Sequence, residues 1–332
     1  MKELPRPNKR MDPPDSFAPL PDELMWTIAL SAPYRDRASL RGASRHWAAL
    51  LNDPAAWKDV ERDIRAKSLY WACSKGHLPV AQWIAERFEL TAEDARADDN
   101  FALSGACENG HLPVAQWLAE RFALTVKDAR ANDNWALLGA CEKGHLLVAQ
   151  WLAERFALTA KDARACDNYA LRLACSNGHL LVAQWLAKAF ALTAEDARAD
   201  RNGALQLACE SGHLAVAQWL VATFALTAED ARDGDNLSLR WACSSGHLLV
   251  VQWLAGAFAL TAEDVRACDN YALRFACGKG HLTTAQWLAE AFALTAEDAR
   301  ADHNYSLRRA CGNGHLEVAQ WLREKFPGLE EG

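Results

Sequence analysis

The sequence predicts an all-α solenoid: eight modules of fixed length stacked side by side, preceded by a small three-helix domain. Three observations predict it. Gly-His pairs end at His77, His111, His145, His179, His213, His247, His281 and His315, an unbroken period of thirty-four. A cysteine stands four positions before each of these histidines, from Cys73 to Cys311, and a tryptophan six positions after, from Trp83 to Trp321. Within each copy the apolar residues recur at helical spacing. Eight copies occupy 272 of the 332 residues. The expected boundaries are a flexible lead-in at 1–16, a helical domain at 17–62 and the repeat array at 63–332.

The lead-in holds four of the eleven prolines together with charge, which favours a flexible chain. In the next segment Leu24 and Ile28 share a helical face, Leu40, Ala43, Trp47 and Leu50 form a second helical pattern, and Trp57 closes the stretch. Three short helices in about forty residues make a core too small to stand alone, so this domain leans on the repeats or on a partner.

In a representative copy, Asn168 is placed to cap the first helix. Leu171, Ala174 and Cys175 follow on one face at i, i+3, i+4, and Gly178 permits a tight turn. Val182, Ala183, Leu186 and Phe190 line one face of the second helix, with Trp185 beside it. Pro79 and Pro113 fall in the first turn of that helix in their copies, where proline is tolerated. Thr193 with Asp196 three positions on approaches a capping box and predicts one short helical turn as connector. One helix pair cannot bury its apolar face alone; stacking supplies the missing core. In the last copy Arg309 and Arg323 replace residues that are Gly, Leu, Trp or Phe and Ala or Val elsewhere, as expected of an end face.

The string Ala170-Leu171-x-x-Ala174-Cys175-x-x-Gly178-His179-Leu180-x-Val182 resembles the core of an ankyrin repeat, and eight such matches cover about four-fifths of the chain. The resemblance implies an ankyrin-type α-solenoid whose first helices line a concave surface. Two features depart from the family pattern. Pairs such as Tyr169-Ala170 replace the usual Thr-Pro, and Leu-Thr-Ala-Glu-Asp-Ala-Arg replaces the hairpin finger. That connector is similar to ankyrin families of amoeba-infecting giant viruses. Residues Leu20, Pro21, Glu23, Leu24, Ile28, Pro33, Asp36, Leu40, Arg45, Trp47, Leu50 and Trp57 resemble an F-box in register. This implies docking on a Skp-type adaptor of a cullin ubiquitin ligase through Leu20, Pro21, Glu23, Leu24, Ile28, Leu40 and Trp47. Arg37, Ala38, Ala43 and Ser44 depart from the larger apolar residues of that family, and each truncation to Ala removes about 1–2 kcal/mol of available burial.

Composition excludes several classes. At 51% hydrophobic and 24% charged the chain is globular material. No apolar run approaches the ~18–20 residues of a bilayer helix. The opening MKELPRPNKRMDPPDS lacks a secretory signal, so a reducing cytosol or nucleus, or the host cytoplasm if the chain is viral, is expected for its ten cysteines. The net charge of −7 without a basic stripe argues against nucleic acid. Cys-x-x-x-His offers two zinc ligands where a closed site needs four, and neighbouring helices lie about 10 Å apart. The repeated Asp-x-Arg, Asp94-x-Arg96 through Asp298-x-Arg300, reads as scaffold pairing or capping, since catalysis needs such a group once. Cys166 and Cys268 fall in connectors and are expected to be exposed. No cofactor, metal or catalytic residue is expected, and no phosphate loop or nucleophile elbow occurs.

The remaining signal lies on the first helices. Trp135, Tyr169, Tyr271 and Tyr305 share one register, Arg172, Gln206, Arg240, Arg274 and Arg308 another, and Trp241 lies beside them. Aromatic and arginine residues dominate protein-binding hot spots, which makes these a candidate partner-binding groove for an unknown target protein. A second reading stays open, in which the aromatics fill space between modules and the arginines pair with connector acids. The functional expectation is a monomeric, non-enzymatic receptor that holds a target for ubiquitin transfer. The alternative is a scaffold or decoy that sequesters a partner, its first domain serving only as an end cap.

Overall fold

The computed structural model describes residues 62–329, and these form helices and turns with no strand among them. The lead-in and the F-box-like segment, including Leu20, Pro21, Glu23, Leu24, Ile28, Leu40 and Trp47, lie outside the described residues.

The first helices of the eight modules run Arg62–Ser74, Ala97–Glu108, Ala131–Glu142, Ala165–Ser176, the later parts of Ala194–Glu210, Ala228–Ser244 and Ala262–Gly278, and Ala301–Gly312. The second helices run Leu78–Arg87, Leu112–Arg121, Leu146–Arg155, Leu180–Ala189, Leu214–Phe224, Leu248–Ala257, Leu282–Ala291 and Leu316–Lys325. Successive first helices pack along their lengths, whereas successive second helices touch at few points. The rod therefore curves with the first helices on its inner wall.

Leu171, Ala174 and Cys175, with Val182, Ala183, Leu186 and Phe190, are all buried, and a single apolar core runs from Leu69 to Leu329. Each tryptophan of the repeating series meets the phenylalanine five positions later edge-on; Trp185 and Phe190 are 5.6 Å apart with planes at 75°. That series is packing within the second-helix layer. Gly178 turns the chain at φ 75°, and a Cβ there would lie 2.6 Å from the ring of His213, so the glycine is needed twice over. The histidine of one module thus rests on the turn of the module before it. His281 shows the remaining bond, its Nε2 lying 3.1 Å from the Ser244 carbonyl.

The connector differs from expectation in one respect. Thr193 and Asp196 form the capping box, with Asp196 accepting from the Thr193 amide at 2.7 Å. Asn168 is no helix cap, however. It closes a run of three left-handed residues, Cys166, Asp167 and Asn168, at φ 51°, 55° and 58°. Its side chain is buried with Oδ1 unpartnered. Asparagine tolerates this backbone better than other non-glycine residues, and Gly234 opens the corresponding bend in the sixth module. The same bend recurs at all seven junctions and stands where ordinary repeats of the resembled type carry a hairpin finger.

Candidate functional site

Two rows of polar side chains tie the modules together, and only one coincides with the candidate groove. The connector arginines do not pair within their own Asp-x-Arg. The first six each reach the aspartate of the next connector, from Arg96–Asp128 to Arg266–Asp298. The pairs are bidentate, Nε to Oδ1 at 2.6–2.7 Å and Nη2 to Oδ2 at 2.9–3.1 Å. Each aspartate is buried and also serves its own threonine. The guanidinium of Arg164 therefore holds Asp196 down at about 2, with burial opposing and the Thr193 donors assisting. Arg232 and Arg266 do the same for Asp264 and Asp298.

On the inner wall the second set of arginines folds back onto the left-handed bends. Arg172 donates to the Cys166 carbonyl at 3.3 Å and pairs with Asp200 of the next bend. Arg274 donates to the Cys268 carbonyl at 3.1 Å, pairs with Asp302 and lies 5.0 Å over the Tyr305 ring. Arg240 donates to the Gly234 carbonyl at 2.7 Å and lies 5.0 Å over Tyr271. Arg308 holds the His303 carbonyl at 2.7 Å, and Gln206 donates to the Arg201 carbonyl. Both open readings of these residues therefore have a physical basis. The side chains sit on the inner wall, and in the later modules they are committed to bracing it. Arg274 and Gln206 are buried, Arg172, Arg240, Trp241, Tyr169, Tyr271 and Tyr305 half-buried, and Arg308 exposed.

The earlier modules differ. Trp135 is exposed at 37%, and sequence reasoning missed its neighbours Phe101 at 43% and Tyr70 at 41%. Phe101 was legible, since it holds the register of Trp135 one copy earlier; Tyr70 was not, because it stands in the arginine register. The adjoining bends carry exposed acids, Asp98, Asp99, Asp133 and Asp167. The outer helices carry a separate exposed trio, Leu147, Leu181 and Leu249, at a position that is proline in the first two copies.

The Cys-x-x-x-His residues do not converge. Cys73, Cys107, Cys141, Cys175, Cys209, Cys243 and Cys277 are buried, and burial pushes their thiols up, away from the thiolate a metal requires. The histidines from His111 to His315 face the preceding turn instead. Cys166 and Cys268 are exposed, as their connector positions implied. Among the described residues no helix is long and apolar enough to cross a membrane.

No curated protein matches the chain. The sequence profile described as ankyrin repeats (3 copies) matches residues 69–164, 137–230, 173–264 and 239–330, together most of the chain. With the stacked helix pairs, the Gly-His turns and the continuous core, this establishes that the chain belongs to the ankyrin-repeat family.

Proposed function

We propose that this chain is a non-enzymatic substrate receptor: its ankyrin array holds a target protein, and its F-box-like segment delivers that target to a Skp/cullin-type ubiquitin ligase. The array is a protein-interaction scaffold. The observation that carries the reading is the row of exposed rings, Tyr70, Phe101 and Trp135, on the inner wall of an array whose connectors are joined by bidentate ion pairs. Large aromatics on a preorganised surface lose little entropy when a partner covers them. The array contributes proximity and orientation, which raise the effective concentration of a target near a transferring enzyme.

The adaptor half of the proposal rests on the residues that resemble an F-box, Leu20 to Trp57, with Leu24 and Ile28 on the docking face. Purified Skp-type adaptor should co-elute with the chain as a one-to-one complex. The Leu24→Asp/Ile28→Asp variant should elute without it. Binding retained by that variant rejects this docking face. No co-elution with the unaltered chain turns the function toward the scaffold or decoy, in which the array sequesters its partner and the first domain only covers the end of the core.

A further inference from the structure

The later modules show what the inner wall does with an arginine. Arg274 places its guanidinium between an acid of the next bend, Asp302, and a ring of the next first helix, Tyr305. Where one acceptor is missing, the other is still used. Arg172 takes Asp200, and because Gly203 offers no ring it lies over its own Tyr169 at 5.1 Å. Arg240 takes Tyr271, where the acid position is Cys268. The solenoid therefore contains one complete aspartate-plus-ring site, filled by Arg274, and two half sites, filled by Arg172 and Arg240.

At the junction of the first and second modules both acceptors are present and the arginine is not. The corresponding residues are Tyr70 for the cation, Asp98 for the acid and Phe101 for the ring. Asp98 is exposed and forms no ion pair among the described residues, and Phe101 is 43% exposed. Tyr70 leans on Phe101 with ring centroids 6.0 Å apart, and a cleft of about 220 Å³ opens between them, lined also by Asp98 and Lys67. In the next module Ser104 stands in the arginine register and Trp135 in the ring register, the acid position is Asn132, and Asp99 and Asp133 are exposed in the adjoining bends.

We propose that this cleft is the anchor site for an arginine of a basic, extended segment of the partner protein, which runs along the inner wall from Phe101 to Trp135. The guest guanidinium takes the place that Arg274 fills in the seventh module, pairing with Asp98 and covering the Phe101 ring. Arginine suits this site better than lysine because its planar group stacks and pairs at once. The segment's further cations lie against Trp135 and Asp133. The inference rests on the array being a protein-binding surface, and it narrows the partner to one with such a segment.

The test measures anisotropy of a short fluorescein-labelled peptide of alternating arginine and serine added to the full chain. The same peptide with citrulline for arginine keeps the shape and removes the charge. The arginine peptide should bind, weaken with added salt and exceed the citrulline peptide by about tenfold. Asp98→Asn and Phe101→Ala should each weaken it several-fold; asparagine keeps the left-handed backbone, so the fold is preserved. Tyr70→Arg should abolish binding, because the chain then fills its own site, while Asp269→Asn, an exposed bend acid in a later module, should change nothing. Equal losses in Asp98→Asn and Asp269→Asn would mean diffuse attraction to an acidic protein and would overturn the proposal. So would undiminished binding by Tyr70→Arg, or no binding at all, including the case in which a basic residue of 1–61 already occupies the cleft. These outcomes are independent of adaptor co-elution and leave the receptor reading to its own experiment.

Discussion

Single positions depart from the repeat in ways that predict their energetic effect. Thr284 is fully buried where the other seven copies hold valine, and its hydroxyl has no partner. Valine has nearly the same shape without the unsatisfied oxygen. Thr284→Val should therefore stabilise the array by about 1 kcal/mol, seen as a higher denaturant midpoint. A lower midpoint would show that the hydroxyl is in fact satisfied. The buried Asn168 oxygen and its counterparts in the other bends look similar but carry no such prediction, since the same side chain sustains the left-handed backbone there. That bend was legible only in part. The recurrent Asp-Asn and the Gly234 variant signal positive φ, but helix start signals use the same residues, and periodicity cannot separate the two.

Between modules, the connectors carry one charge-assisted joint each, and its two ends are unequal. Removing the Arg232 side chain breaks one bidentate pair whose arginine is 37% exposed. Solvent screens that pair, so the cost should be about 0.5–1 kcal/mol. Removing the Asp264 carboxylate breaks the same pair and also strips the cap from Thr261, for about 1–2 kcal/mol. Asp264→Ala should thus lower the thermal midpoint more than Arg232→Ala; the reverse order would refute the dual role. Acid should act on the array in two windows. Burial, reinforced by neighbouring histidines, holds His145, His213 and His281 below the ordinary 6.5, so the unfolded chain binds more protons and stability falls as pH drops below about 6.5. Asp196, Asp264 and Asp298 lie at about 2, lowered from 3.8, so their contribution is complete above 3.8 and is lost as pH falls toward 2. A pH series of thermal midpoints should fall in both windows, and His145→Gln/His213→Gln/His281→Gln should flatten the upper one. An unchanged upper window would place the titrating groups elsewhere.

Over the whole array, the core is continuous and its main packing is between neighbouring modules, so stability is close to a sum of module and interface contributions. A cavity in the middle should then do more than subtract energy. Leu205, fully buried in the fifth module, should cost about 2–5 kcal/mol as Leu205→Ala and should also split unfolding into two transitions, one for each half. A single cooperative transition at lower denaturant would mean that coupling reaches beyond nearest neighbours. At the last module Arg309 and Arg323 are exposed on the end face, and Arg300 contacts the Pro327 and Gly328 carbonyls at 3.4 Å. The same inner wall is self-braced in its later modules and carries exposed rings in its earlier ones, where the proposed partner contact lies.

The number of modules, the helix pair within each, the core residues and the Gly-His turn were all determined by the sequence, because each follows from spacing within a single copy. Burial has the period of the repeat, so reading one copy reads eight. Only the tertiary structure decided how copies meet: that Arg96 seeks Asp128 rather than its own Asp94, that His213 rests on Gly178, and that Arg274 fills an acid-and-ring site whose counterpart at Asp98 and Phe101 holds no arginine among the described residues. Those partners lie about one repeat apart along the chain. Spacing alone ranks all such pairs equally, and the curvature that brings some side chains together and leaves others open exists only once the modules have stacked.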